Sequence, residues 1–244
     1  MPIARLTDLN WRRAFAEVAL IFIGITLALL FDNWNQDRKE RSLERQLLTE
    51  VREDLIETRS DLEIDIENSE MRLGRWRDLA TAVAEDAPLD THWASMLGET
   101  LDYSVLVAKT SGYRSLTSQG LGILSDPEVR KAITDFYELR LARVALFERR
   151  TFPNYNDVYL RYVQGITRIP DDVLVDAVEG GSAPPFVERY ELRDPGSLPQ
   201  DPMLAHLLYR MSFDTRLVLI NYYRSLDDIE ALIELIGAQL ASEN

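Results

Sequence analysis

The sequence predicts an all-α protein in which an N-terminal transmembrane helix continues into a long amphipathic helix, packed with other helices in an antiparallel, coiled-coil-like bundle. Three observations predict it. Val18 to Phe31 is fourteen residues without a charge. From Trp34 to Gly74 there is no Pro or Gly, and the apolar residues Leu48, Val51, Leu55, Leu62, Ile66, Leu73, Trp76, Ala80 and Val83 follow a spacing of three and four. Leu219, Tyr222, Leu226, Ile229, Ile233, Ile236 and Leu240 repeat that spacing near the C-terminus. The parts are a tail over 1–13, an anchor over 14–34, and an acidic helical-bundle domain over 35–244.

The apolar run is short but sufficient, because with Ala14 and Glu17 admitted at its edge it extends to eighteen residues, against about 20 for a full span. Trp11 and Trp34 fall at interfacial depth on its two sides, and Arg12 and Arg13 can extend toward the headgroups. A cleaved signal peptide and a buried core helix compete with this reading. Against cleavage, the small-x-small triplet Thr26-Leu27-Ala28 lies inside the apolar run rather than after it. Basic residues are nearly balanced across the span. Arg12 and Arg13 lie close to its edge, whereas Arg38 comes only after Asp32 and Asp37, which predicts the N-terminus inside and the large domain outside the cytoplasm. For a Gram-negative bacterium that is an inner-membrane protein with a periplasmic domain. Gly24 and Ala28 form a small-xxx-small pair that would let a second helix approach.

Composition narrows the chemistry. The 244 residues hold 27 basic and 41 acidic side chains for a net charge of −14, and no cysteine. Disulfides, thiolate zinc sites, iron–sulfur ligation and thiol catalysis are thereby excluded. Residues 42–244 carry 21 basic and 36 acidic side chains. A surface of that sign disfavours nucleic acid, because phosphate attraction normally dominates such binding.

The bundle elements follow in order. The stripe from Leu48 to Val83 marks a stalk helix over 35–85, with Thr58 and Ser69 filling gaps and a stutter near Ile66. The alternating Asp61, Glu63, Asp65 and Glu67 do not converge on a helix and read as a solvated face. Pro88 and the residues from Asp86 to Asp90 end the stalk, and Asp90 or Thr91 caps a short helix to about Leu101. Ser111 to Gln119 reads as a helix stopped by Gly120. Ser125-Asp126-Pro127-Glu128 has capping-box spacing with Pro in the first turn, starting a helix through Val129, Ile133, Phe136, Tyr137, Leu139, Leu141 and Val144 to about Arg150. Pro153 breaks or kinks it, and Tyr155, Val158, Tyr159 and Tyr162 continue the stripe. Residues 167–201 form an irregular loop with five prolines; Val187 to Leu192 reads as extended, and Phe186, Tyr190 and Leu198 are apolar enough to pack. Asp201 caps a final helix over 202–240, whose heptads suit either the bundle core or self-association.

The search for catalytic patterns returns no Walker, GxGxxG or G-x-S-x-G motif. His92 and His206 lack zinc-ligand spacing. Tyr103, Tyr113, Tyr155, Tyr159 and Tyr162 read as tyrosines wedged between helices, with a pocket lining as the alternative. No cofactor, no metal and no enzymatic activity is expected.

The run GITLALLFDNWNQDRKER from Gly24 to Arg41 resembles the hallmark of a family of uncharacterised single-span bacterial membrane proteins, in which an apolar helix ending in GI-x-x-AL leads to Asn-Trp-Asn and a charged helix. The stretch TSGYRSLTSQGLGILSDPEVRKAITDFYE from Thr110 to Glu138 is similar to that family's second signature. Phe31-Asp32 departs from its pattern before Asn33. The resemblance implies an anchored helical protein and supplies no activity. Two functions are expected from the whole: an interaction or scaffold protein that pairs with a membrane protein or with itself, or an extracytoplasmic ligand-sensing bundle in which 167–201 and Ser111 to Leu124 shape a pocket and a partner carries the signal.

Overall fold

A computed structural model describes residues 11–87, 89–100, 105–171, 175 and 190–242. The first helix, α1 (Trp11–Ala84), runs unbroken for 74 residues, about 110 Å at 1.5 Å per residue. It ends in a Schellman turn, with Asp86 Nα donating to the Val83 carbonyl at 3.2 Å and Ala87 Nα to that of Ala82 at 2.9 Å. Asp86 takes the left-handed conformation, φ 54°, that usually selects glycine.

The chain then returns along α1 through α2 (Thr91–Glu99) and α3 (Ser111–Gln119). Asp90 caps α2 by accepting from His92 Nα at 2.9 Å. Gly120, at φ 90° and ψ 132°, stops α3 in a conformation open only to glycine. Next comes a continuous helical path over 127–166 made of α4 (Pro127–Thr134), α5 (Leu141–Pro153) and α6 (Arg161–Ile166). Wide π turns join them at Asp135–Arg140 and Asn154–Leu160. Pro153 therefore does not break the helix. It lacks an N–H and crowds the carbonyl four residues back, and the wide turn beginning at Asn154 absorbs the mismatch.

The cap of α4 also differs from the capping-box expectation. Asp126, not Ser125, accepts from Glu128 Nα at 2.7 Å and Val129 Nα at 3.3 Å. With Pro127 as the first helical residue the cap must sit immediately before it, which leaves the Ser125 hydroxyl free to donate to Glu44. Beyond α6, β1 (Thr167–Arg168) pairs antiparallel with β2 (Glu191–Leu192), a two-residue ladder in an otherwise helical fold. Part of the expected extended piece is thus a strand; Val187 and Phe186 lie outside the described residues. Asp201 accepts from Met203 Nα at 2.8 Å and starts α7 (Pro202–Ser242), which extends two residues past the expected end.

Three long helical paths make the bundle. The path over 127–166 runs parallel to α1, since Ser125 meets Glu44 at one end and Tyr159 packs on Trp76 at the other, ring centroids 4.7 Å apart. The final helix, α7, runs antiparallel to both, with Leu204 to Met211 beside Trp76 and Leu79 and Gln239 back at Glu44. The core divides into one cluster around Leu48, Leu55, Ile133 and Ile236 and a distal one around Trp76, Tyr159 and Leu208.

Burial refines the predicted stripes. On α1, Leu48, Val51, Leu55, Leu62, Ile66 and Trp76 are buried, as are the gap-filling Thr58 and Ser69. Past Trp76 the buried row turns to Leu79 and Ala82 and leaves Ala80 exposed. On α7 Leu219, Tyr222, Ile229 and Ile236 of the predicted heptad are buried, and beside them Val218, Ser225, Leu232 and Gln239, each one position before a heptad place. Leu226, Ile233 and Leu240 are only half-buried, because α7 lies against two neighbours and the groove between them, rather than one partner, sets its buried face. Leu139 and Val158 are exposed, since each follows the start of a π turn that rotates the helical face.

Candidate functional site

Two parts of α1 carry the features that bear on function. From Phe15 to Phe31 its side chains are almost all exposed: Leu20, Ile21, Phe22, Leu27, Leu29 and Leu30 are all at least 59% exposed. The most apolar 18-residue window has a mean hydropathy of 2.1 and none of it is buried. This is one helix long and apolar enough to cross a membrane. Thr26, the hydroxyl of the segment, donates to the Phe22 carbonyl at 2.8 Å, the internal solution that an apolar solvent demands.

The aromatic residues bracket this window. Trp11 and Trp34 are exposed and 23 positions apart, about 35 Å along a helix, close to the ~30 Å of a hydrocarbon core. Trp34 stacks obliquely on Phe31 at 5.8 Å, and the Arg38 guanidinium lies over its ring at 5.9 Å. The side chains of Arg12 and Arg13 lie outside the described residues. Gly24 and Ala28 sit one turn apart on the exposed helix, and a Cβ added at Gly24 would meet nothing within 4 Å.

The second part carries the buried carboxylates Glu44 and Asp54, to which Glu148 on α5 adds a third. Asp54 accepts from the Ser111 hydroxyl at 2.7 Å and from Gly112 Nα at 2.6 Å, so a side chain of α1 caps the N-terminus of α3, whose own Thr110 makes no side-chain cap. One turn on, Thr58 Oγ1 donates to the Asp54 carbonyl and accepts from Lys109 Nα at 2.9 Å. Gly112 is pressed so closely on α1 that an added Cβ would stand 2.6 Å from the Glu50 carbonyl carbon and the Val51 nitrogen. Glu44 Oε1 accepts from Ser125 Nα, the Ser125 hydroxyl and the Gln239 amide at 2.7, 2.9 and 2.9 Å. Glu148 Oε1 accepts from Leu106 Nα at 2.9 Å and the Tyr222 hydroxyl at 2.6 Å. Each carboxylate is occupied by backbone or side-chain donors, and each fastens a segment between 105 and 125, or α7, to the long helices. The three carboxylates thereby tie distant segments of the fold together.

The tyrosines serve packing in the same way. Tyr155 donates to the Thr100 carbonyl at 2.7 Å, and the Tyr159 and Thr100 hydroxyls pair at 2.6 Å. Tyr113 and Tyr137 stack with centroids 4.4 Å apart, and Tyr113 donates to Glu138 at 2.9 Å. Burial, followed by that hydrogen bond and the Glu138 charge, pushes the Tyr113 hydroxyl up to about 12. Burial above all raises Tyr137 and Tyr159 as well. Tyr103 lies outside the described residues. His92 and His206 are both exposed, and among the described residues no three His, Asp or Glu side chains group to hold a metal ion.

Two surface grooves among the described residues are lined by other segments than those expected to shape a pocket, of which 172–174 and 176–189 lie outside the described residues. One, of about 440 Å³, lies between the first π turn and α7 around Phe136, Arg140 and Asp228; the other lies between α1 and α7. Comparison with family models, with curated proteins and with solved structures finds no match.

The carboxylate clamps were missed in the sequence although a signal existed. Glu44 stands four residues before Leu48, and Asp54 stands four before Thr58, so each lies in line with or beside the apolar stripe, where a solvated acid has no reason to be.

Proposed function

We propose that this protein is a membrane-anchored helical interaction or scaffold protein, an accessory component of a bacterial inner-membrane assembly, with its bundle on the periplasmic side and no catalysis of its own. The observation that carries this reading is the fully exposed apolar window of α1, bracketed by Trp11 and Trp34 and continuous with the bundle. A segment apolar on every face is unsuited to water and suited to lipid. The unbroken helix couples a partner met in the bilayer mechanically to the domain outside it. The likeness of Gly24 to Arg41 and of Thr110 to Glu138 to the signatures of single-span bacterial membrane proteins supports the same reading. So does the use of the buried carboxylates as clamps.

The test is a mild-detergent pull-down of the full-length protein with mass spectrometry, beside the variant Gly24→Leu/Ala28→Leu. A stoichiometric membrane partner, or a homo-oligomer, that is lost in the variant is the expected result. A strictly monomeric protein without a partner defeats the scaffold reading. Release from membranes by alkaline carbonate defeats the anchor.

A further inference from the structure

The second groove, of about 490 Å³, runs along the distal end of the bundle on the side of α1 and α7 away from the path over 127–166. Its walls are two rows at helical spacing. Leu73, Arg77, Ala80 and Ala84 form the α1 wall, and Ala205, Tyr209 and Phe213 the α7 wall, with Arg216 at its end. The α7 row does not stop there. Tyr209, Phe213, Arg216, Ile220 and Tyr223 follow intervals of four, three, four and three, and all five are exposed. This is a second heptad row on a helix whose first row is already buried in the bundle. A row of that period outside the core is the surface that receives another helix.

Charge identifies the helix. Among the described residues neither Arg77 nor Arg216 forms an ion pair, although the chain has a net charge of −14. Of the acids on the same stretches, Glu70 accepts the Tyr223 hydroxyl, and Asp78 and Glu85, exposed sequence neighbours of Arg77 and Ala84, are not among the lining residues. Two guanidinium groups that no described carboxylate pairs, beside an apolar floor, match an occupant whose apolar face is flanked by carboxylates. A second copy fits worse. A two-fold interface sets the same patch against itself, bringing arginine toward arginine between two acidic domains.

We infer that the groove between α1 and α7 docks an amphipathic helix of a partner protein, with acidic residues flanking its apolar face. This deepens the interaction reading above and rests on it, but not on the anchor, because every residue of the groove lies in the bundle. Four-helix packing around Ala80 and Phe213 would complete on this side what the path over 127–166 provides on the other.

The experiment uses full-length protein in detergent and two labelled synthetic helical peptides of roughly 20 residues, about five turns, sharing one Leu/Ala heptad face flanked by Glu in the first and by Lys in the second. Fluorescence anisotropy is expected to show saturable binding of the Glu peptide and at least tenfold weaker binding of the Lys peptide. Arg77→Glu/Arg216→Glu is expected to reverse that preference, and Ala80→Trp, which fills the groove without changing charge, to abolish binding of both. Circular dichroism and the unfolding midpoint verify that the variants fold. The inference is overturned if neither peptide binds, if both bind alike, or if the groove variants leave binding unchanged. A dimer in sedimentation that Ala80→Trp dissociates would overturn it too, by giving the groove to a second copy. Each of these failures leaves the carbonate and pull-down results untouched, so the two readings fall separately.

Discussion

The two halves of α1 share one backbone and face opposite demands. Before Leu43 the described side chains are almost all exposed, and from Val18 to Phe31 they are uncharged on every side. After it, the helix buries one face, from Glu44 to Ala82, and keeps Glu53, Glu57, Glu63 and Glu67 in solvent. The difference teaches that helix formation and helix burial are separate problems. Helix-forming residues carry α1 through both halves despite Gly24 and Gly74, whereas the distribution of apolar side chains around the axis leaves one half apolar all round and gives the other a single face for a protein neighbour.

Charge placed in the first half alone should separate the two halves most strongly. Ile21→Arg/Leu27→Arg should release the protein into the soluble fraction, each arginine costing about 2.5–3.5 kcal/mol at the centre of a span. The unfolding midpoint of the bundle should stay unchanged. Retention in the membrane pellet would show that the exposed apolar window is not what holds it there.

A pair of identical changes sharpens the contrast further. Gly112→Ala drives a methyl group into the α1 backbone at 2.6 Å, and Gly24→Ala meets nothing. The first should lower stability by about 1–3 kcal/mol in urea unfolding; the second should leave it where it was. Equal effects at the two sites would mean that α3 does not press on α1 as described.

Asp54→Ala removes the acceptor for Ser111 and Gly112 and should cost about 1–3 kcal/mol, with the loss traced to amide exchange at the start of α3. Asp54→Asn should lose less, since one acceptor oxygen survives. Protection at Gly112 unchanged in both would remove the clamp from the account.

The smallest effect is alkaline. The Tyr113 hydroxyl is raised from 10.0 to about 12 in the folded protein, so its neutral form is held by folding. That stability is present in full below pH 10 and is lost as pH rises from 10 through about 12. Tyr113→Phe should flatten this part of the stability profile measured by urea midpoint against pH. A profile still falling with the same slope would assign the alkaline loss to other groups, such as Tyr137.

Much of this was legible along the chain. The Ser111–Gln119 helix and its Gly120 stop, the Asp90 and Asp201 caps, and the exposed segment between Trp11 and Trp34 are local matters, fixed by a few neighbouring residues and their backbone preferences. Less legible was anything that depended on which helix lies beside which. Leu139 and Val158 fit the apolar spacing of a regular helix, but two π turns shifted the phase beneath them. Ala80 fits the stalk stripe, yet the distal core took Leu79 and Ala82 and left it in the groove. Glu44 and Asp54 read as ordinary acids of an acidic helix until Ser125, Gly112 and Gln239 arrived from 58 to 195 positions away.

By itself, the sequence determined that this protein is helical, that α1 is long and unbroken, and that its first apolar run is fit for a bilayer, because periodicity, caps and the length of an uncharged segment are short-range properties. The direction of the path over 127–166, the burial of Val218, Ser225, Leu232 and Gln239 beside the α7 heptad, the clamps at Glu44, Asp54 and Glu148, and the open groove beside Arg77 are set by tertiary structure. Those depend on the relative placement of three long helices, which one-dimensional spacing constrains only to within a rotation about each helix axis.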